Sequence, residues 1–272
     1  MNVLPLATIL GIFVASVLVA GCSVPATTTE TADMNVAATA ITTSVNTGLY
    51  DIRAGLANTS RTLAGTGLSG RHAEGALSEN LQQYSYALSS WTISPDGIVL
   101  AAVPEKYAGF VGTNVSSQVH VQTANTRQAS TVSGVTPLAE GFNAIVQTYP
   151  VFSESGEYLG YVDITYKPEI FLRQYIEPVT NGTPYDVWVI QSDGTEIYDT
   201  TPAEIGKNIL TDSIYADPAM QEIVNRIVHE PSATGRYTFW DREWSRNVTK
   251  VAVWETAGID GAAWRVGVTR EE

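Results

Sequence analysis

Residues of the types that carry out catalysis or bind metals are few in this sequence and widely spaced. The three histidines, His72, His120 and His229, have no His or Cys three or four residues further along, the spacing of a zinc site on one helix. No Gly-x-Ser-x-Gly motif is present, and Gly206-Lys207-Asn208 lacks the Ser or Thr and the upstream glycine of a phosphate-binding loop. We therefore expect no enzyme activity, no metal site and no cofactor.

The single cysteine, Cys22, follows an uncharged stretch of 19 residues, 3–21. The sequence Val19-Ala20-Gly21-Cys22 resembles the lipobox of lipoproteins, in which small residues precede a cysteine that is diacylated and becomes the mature N-terminus. The alternative is an uncleaved transmembrane anchor, because no Lys or Arg precedes the apolar stretch. Both interpretations place the rest of the chain outside the cytoplasm and attached to the membrane.

The composition excludes several classes of protein and partner. With 272 residues, 44% of them hydrophobic and 16% charged, the chain resembles a globular protein large enough to bury a core. Lys and Arg number 15 against 28 Asp and Glu, and the resulting net charge of −13 repels phosphate backbones. Nucleic acid is therefore not an expected partner. A single cysteine also excludes internal disulfide bonds.

The spacing of apolar residues predicts a linker followed by two helices. Residues 22–33 are small and polar, with a proline, and are expected to form a linker. From Met34 to Leu63, apolar residues recur at steps of three and four, which predicts one long helix. At 1.5 Å per residue, about thirty residues reach about 45 Å, longer than one small domain needs. A second helix is expected from Ser69 to Leu88.

One pattern of turns occurs twice in the remaining sequence. Residues 94–114 contain an Asp-Gly turn, a proline and Gly-Thr-Asn, and residues 192–208 contain an Asp-Gly turn, a proline and Gly-Lys-Asn. Asp-Gly is typical of tight hairpins because glycine tolerates a positive φ. Each copy is followed by a helical stretch and two predicted strands, over 143–152 and 158–166 in the first and over 250–255 and 264–269 in the second. The recurrence predicts an α+β protein with two similar units, each an antiparallel sheet with flanking helices, stacked along the long helix.

These motifs resemble the double Cache domain family over about residues 34–269. The resemblance rests on the order of the Asp-Gly hairpins, Gly112-Thr-Asn-Val-Ser116, Tyr149-Pro-Val-Phe152, Gly206-Lys-Asn208 and Trp264-Arg-Val266. It implies a PAS-like extracytoplasmic sensor that binds its ligand in the first, membrane-distal unit. Members of the family usually precede a membrane helix and a kinase or chemoreceptor output. Because this sequence ends at Glu272, we expect a sensor without its own output that works through a separate membrane receptor or kinase.

The resemblance and the helical spacing together suggest ligand-binding residues. A PAS-like pocket lies between the sheet and the helix that follows the first hairpin. On that helix His120 and Arg127 are seven residues apart and share a face, and Ser130 follows it. Tyr149 and Asp163 lie on the returning strands. Arg127 is suited to bind a carboxylate through two hydrogen bonds, and Asp163 an amine. The alternative is that Arg127 and Asp163 pair with each other or with solvent.

The predicted function is a lipid-anchored extracytoplasmic protein that binds a small molecule. The Arg-x-Trp-Tyr arrangement of the amino-acid-sensing members is not found, so an amino acid is not the default ligand. One alternative is a structural or adhesive envelope lipoprotein whose pockets are filled by side chains, and another is a hydrolase. The predicted organisation is a signal peptide (1–21), a lipid-anchored linker (22–33), two helices (34–90), a membrane-distal Cache unit (91–178) and a membrane-proximal Cache unit (179–272).

Overall fold

A computed structural model describes residues 26–272, so the predicted signal peptide and Cys22 lie outside the described residues. The long helix, α1 (Ala26–Thr66), contains 41 residues and is about 60 Å long. Its apolar stripe is fully buried, as the spacing predicts. The helix begins within the predicted linker 22–33, because no Gly or Pro lies between Pro25 and Met34 to interrupt it. Within the described range, no helix has an apolar run that would span a bilayer.

The second helix, α2 (Gly70–Leu81), is shorter than predicted. Ser69 precedes it in extended conformation, as expected of an N-cap, but its side chain makes no capping hydrogen bond. Leu88 lies outside the helix, in strand β1 (Ala87–Ile93). The reason is tertiary, because β1 pairs with two neighbouring strands in the middle of a sheet, and that pairing overrides the helical spacing.

The first unit is built on an antiparallel sheet in the order β2-β1-β6-β5-β3, with the short β4 paired to β5. The two strands predicted over 143–152 and 158–166 are confirmed as β5 and β6. The further elements of this unit are β2 (Val99–Val103), a 3-10 helix (Glu105–Phe110), α3 (Val119–Arg127), β3 (Thr131–Val132), β4 (Thr136–Pro137), β5 (Asn143–Phe152) and β6 (Tyr158–Tyr166).

The second unit repeats this arrangement, with an antiparallel sheet in the order β8-β7-β11-β10-β9. Helix α4 (Pro168–Thr180) connects the two units. The elements that follow are β7 (Asp186–Ile190), β8 (Glu196–Asp199), a 3-10 helix (Ser213–Tyr215), α5 (Pro218–His229), β9 (Ala233–Trp240), β10 (Asn247–Ala257) and β11 (Trp264–Glu271).

The repeated Gly-x-Asn motif has the same structural role in both units. Asn114 forms an isolated bridge with Ile98 beside the first Asp-Gly turn, and Asn208 forms one with Thr195 beside the second. Each Asn side-chain oxygen also accepts a hydrogen bond from the backbone N–H two residues later. The sequence repeat therefore corresponds to a structural repeat, and the predicted α+β fold with two units is confirmed.

The main core lies where α1 packs against one face of each sheet. Helix α1 contacts β5 and β6 of the first unit and β10 and β11 of the second. Burying this apolar stripe against both sheets stabilises the long helix, which would be marginal on its own. The opposite face of the first sheet is covered by α3 and that of the second by α5. The candidate site lies on the face covered by α3.

Candidate functional site

A cavity of about 340 Å³ opens beside α3, and we call it the α3 cavity. Val119, His120, Thr123 and Arg127 face it together because their spacing of one, three and four residues places them on one side of a helix. Its other walls are the segment 131–136, which follows α3, and the turn between β10 and β11 of the second unit, which contributes Asp260 and Gly261. The structure thus brings together His120 and Arg127, two of the residues suggested by the sequence.

His120 is largely buried in the wall of this cavity, with 8% of its surface exposed. Its Nδ1 atom is buried and has no hydrogen-bond partner among the described residues. Burial lowers the pKa of His120 from 6.5 to about 4, because the charged imidazolium is poorly solvated there. The imidazole is therefore neutral at pH 7, and it can serve a ligand as a hydrogen-bond donor or acceptor without carrying charge.

Arg127 is the last residue of α3 and is exposed. Its guanidinium makes no ion pair or hydrogen bond with any residue in the described range, 26–272. It lies against the second unit, since a Cβ added at Gly261 would be only 3.2 Å from Arg127 Nη1, and Gly261 has a φ of +103°. Glycine therefore suits this position on two counts. An uncompensated guanidinium at a cavity mouth is suited to bind an anionic group.

Asp163 lies behind the cavity wall and is 4% exposed. Its Oδ1 atom accepts a hydrogen bond of 2.8 Å from the backbone N–H of Trp91. Burial, and to a smaller extent the charge of Glu140, raises the pKa of Asp163 well above its usual range. Thr148 is paired with Asp163 across the sheet, and its hydroxyl is 2.7 Å from that of Thr131, which lines the cavity. Two threonine side chains therefore separate the carboxyl group from the cavity.

Three buried polar atoms on this side of the first sheet have no hydrogen-bond partner, namely Trp91 Nε1, His120 Nδ1 and Tyr161 Oη. Trp91 and Tyr161 belong to one apolar cluster under α3, and the Trp91 ring lies 5.2 Å from that of Phe110. Buried polar groups are nearly always hydrogen-bonded, so these three atoms have unused hydrogen-bonding capacity. Of the three residues, His120 lines the α3 cavity, where a bound molecule can supply the missing partner. Sequence reasoning did not select Trp91 or Tyr161. The available signal was the two-residue alternation of β6, which puts Tyr161 on the same face as Asp163.

Ser130 and Tyr149 lie elsewhere. Both line a wide groove beside α1, together with Tyr50 and Arg53, and we call it the α1 groove. Because side chains alternate along β5, Thr148 faces α3 and the next residue, Tyr149, faces α1. The structure therefore does not bring Tyr149 to His120 and Arg127. The hydroxyl of Ser130 instead donates a hydrogen bond of 2.6 Å to Asp260 Oδ2, which ties the two units together.

In the described part of the chain, one group of carboxylates could hold a cation. Oxygen atoms of Glu196, Asp199 and Glu204 in the second unit lie within 4.8 Å of one another. Burial and the charge of Glu204 raise the pKa of Glu196 to about 8, against the opposing effect of Lys250. The Tyr215 hydroxyl contacts Glu196 and Glu204, with oxygen distances of 2.9 and 3.1 Å. Among the described residues, the Tyr215 hydroxyl and the positive charge of Lys250 are groups that offset the mutual repulsion of these carboxylates.

Comparisons with known proteins fit this geometry. The family described as HK/GC/Chemotaxis protein-like, sensor domain matches residues 47–168, which include the second half of α1 and the whole first unit. An extracellular ligand-binding receptor from Desulfohalobium retbaense DSM5692 is similar in structure, with a TM-score of 0.74 and 24% sequence identity. That comparison covers 87% of this chain, which spans 40% of the receptor's length. Among curated proteins, none matches this sequence.

Two further solved structures are similar over nearly their full length. The periplasmic sensory domain of the Campylobacter jejuni chemoreceptor Tlp1 has a TM-score of 0.63 and 13% identity, covering 90% of this chain and 96% of that domain. The ligand-binding domain of the Pseudomonas aeruginosa PAO1 amino acid chemoreceptor PctB, in complex with L-Gln, has a TM-score of 0.63 and 14% identity, covering 88% and 90%. The chain thus has the two-unit fold of double Cache sensor domains. The matched family is a sensor family, in agreement with the expectation that the chain is not an enzyme.

Proposed function

We propose that this chain is an extracytoplasmic sensor that binds a small molecule beside α3 in its first unit. The observation that carries this proposal is the α3 cavity of about 340 Å³, whose lining includes His120, with its unpartnered Nδ1 atom, and the uncompensated Arg127. A side-chain-filled structural unit would be expected to satisfy these groups internally. The similar structures support the same assignment, since they include a periplasmic sensory domain and an extracellular ligand-binding receptor.

The site favours a ligand with an anionic end. Arg127 would bind a carboxylate or a similar acceptor at the mouth, and neutral His120 would donate or accept one hydrogen bond beside it. Asp163 would act deeper in the unit. Burial raises the pKa of Asp163, and a cationic ligand group close to its carboxyl would lower that pKa again by favouring the ionised form.

The test is a thermal-shift screen of small carboxylates, amines and nucleobase-like compounds, followed by calorimetry on each compound that stabilises the protein. A ligand that binds only the folded state raises the melting temperature by mass action. We expect Arg127→Ala to weaken binding at least tenfold, about 1.4 kcal/mol or more, for loss of a charged hydrogen-bonding group. It should leave the unliganded melting temperature nearly unchanged, because the Arg127 side chain has no polar partner to lose.

Arg173→Ala is the matched control, since Arg173 is an exposed arginine on α4 that pairs only with Glu177. A ligand that stabilises the Arg127→Ala protein as fully as the wild type would place the site elsewhere. A screen in which no compound stabilises the protein would favour the alternative of a structural or adhesive envelope lipoprotein.

We further propose that the protein is attached to the membrane by lipid on Cys22 and signals through a receptor or kinase in that membrane. The support is the lipobox-like sequence that ends at the single cysteine. Cys22→Ser should abolish metabolic labelling with fatty acid and leave an unprocessed or released protein. Mass spectrometry of the mature wild-type protein can contradict this proposal. An intact Met1 together with an unmodified Cys22 would identify an uncleaved helical anchor instead of a lipid anchor.

A further inference from the structure

A second, smaller cavity of about 100 Å³ adjoins the α3 cavity. The two share the segment 132–134 of the first unit and Gly261 of the second. The far wall of the smaller cavity is formed by residues 191–193, in the turn between β7 and β8, and by residues 262–264. The two cavities therefore lie side by side along the boundary between the units and have these residues as a common wall. We call the pair the inter-unit cleft.

Gln191 gives the second-unit side of this cleft a hydrogen-bond donor. The residue is 4% exposed, and its Oε1 atom accepts a hydrogen bond of 2.9 Å from the backbone N–H of Val135 in the first unit. That bond fixes the orientation of the amide, because only the oxygen can accept it. The Nε2 atom is consequently the other end of the amide, and it is buried without an acceptor.

The cleft thus presents an unpaired donor from each unit, Arg127 from the first and Gln191 from the second. The acidic groups nearby restrict what can bind between them. Both carboxylate oxygens of Asp260 are occupied, one by Arg53 at 3.2 Å and the other by Ser130 at 2.6 Å. Asp193 also lines the smaller cavity, and its negative charge disfavours an anion at the Gln191 end.

We propose that the inter-unit cleft is one bipartite site for a short oxo acid or a related molecule, with its carboxylate at Arg127 and an uncharged acceptor oxygen at Gln191 Nε2. This inference rests on the proposed function and adds the ligand class and the participation of the second unit. A molecule bound in this way contacts both units, beside the Asp260 contacts that join them to α1. Ligand binding would therefore favour one arrangement of the two units.

The test is a series of calorimetric titrations, in which the protein with its whole sequence is titrated with matched pairs of probes. The oxo acids are 4-oxopentanoate, 5-oxohexanoate and 6-oxoheptanoate, and their partners are pentanoate, hexanoate and heptanoate. At least one oxo acid should bind the wild type about five- to tenfold more tightly than its partner, as expected for one added hydrogen bond to a buried donor. Arg127→Ala should weaken both members of the pair.

Gln191→Glu keeps an acceptor for the Val135 N–H but replaces the donor with a carboxylate oxygen, so it should abolish the preference for the oxo acid. Gln191→Met should do the same without adding charge, and Gln174→Glu, an exposed change on α4, controls for the added charge alone. Melting temperatures establish that each variant is folded.

A preference for the oxo acid that survives in both Gln191 variants would overturn the bipartite site. So would a wild type that binds each oxo acid and its unsubstituted partner equally well. Either result, combined with loss of binding in Arg127→Ala, would leave the proposed function intact. Failure of every probe to bind would reject the ligand class stated here, whereas the proposed function is judged by its own wider screen.

Discussion

Replacing the buried His120 should remove about 2 kcal/mol of the loss of stability of this fold between pH 7 and pH 5. Its pKa is about 4 in the folded protein and 6.5 in the reference state, so the unfolded chain takes up a proton first as the pH falls. The contribution is therefore fully present above pH 6.5 and is lost progressively between pH 6.5 and 4. At pH 5 the unfolded-state imidazole is almost fully protonated and the folded-state one is mostly neutral. Linkage then gives a loss of about 2 kcal/mol relative to pH 7.

The assay is urea denaturation of the wild type and His120→Phe at pH 7 and pH 5. Phenylalanine keeps an aromatic ring and forfeits no hydrogen bond at Nδ1, which has no partner. Its packing effect is the same at both pH values and cancels in the comparison. The free energy of unfolding of the variant, relative to wild type, should therefore rise by about 2 kcal/mol between pH 7 and pH 5.

His72→Phe is the control, since His72 is exposed and its replacement removes an imidazole outside the cavity. If the difference in unfolding free energy between His120→Phe and wild type is the same at both pH values, His120 is not held neutral by burial. The assignment of an uncharged imidazole to the cavity wall would then be refuted.

Three further predictions concern stability. In urea denaturation, Gly160→Ala should lower the free energy of unfolding by about 3 kcal/mol or more, because the added Cβ would lie 2.1 Å from a backbone carbonyl oxygen of β1. Gly156→Ala, where the added Cβ meets open space, should lower it by about 1 kcal/mol. The raised pKa of Glu196 makes its ionisation destabilising, so this residue lowers stability as the pH rises from 4.5 through 8. Thermal unfolding over that pH range should show a smaller fall in stability for Glu196→Gln than for the wild type. Leu56→Ala, at a fully buried site on α1, should lower the free energy of unfolding by about 2–5 kcal/mol. Val36→Ala, at an exposed site on the same helix, should change it by less than about 0.5 kcal/mol.

Much of the fold can be predicted from local spacing. The recurrence of apolar residues from Met34 to Leu63 identifies the buried stripe of α1, because 3.6 residues per turn fixes which side chains share a face. The bounds of β5 and β6 agree with prediction because a turn with a positive-φ glycine, Gly156, separates two runs of β-type residues. Spacing also placed His120 and Arg127 together on α3.

Other features depend on which elements meet. Tyr149 and Thr148 are neighbours in sequence, yet only the packing of β5 between α1 and α3 decides which of them faces the candidate site. The helical spacing that ends at Leu88 is overridden by the pairing of β1 with its neighbours. Burial of Asp163, which raises its pKa, likewise results from the sheet and the helix that cover it.

The sequence by itself determined the repeat, the long helix and the directions of side chains within each element, because these follow from backbone periodicity and turn chemistry. The tertiary structure alone decided that the second unit forms part of the candidate site. Gln191 and Gly261 are distant in sequence from Arg127 and carry no local signal of their role. They reach the cleft because both sheets pack on one helix, and that long-range packing brings the turns of the second unit against the segment that follows α3.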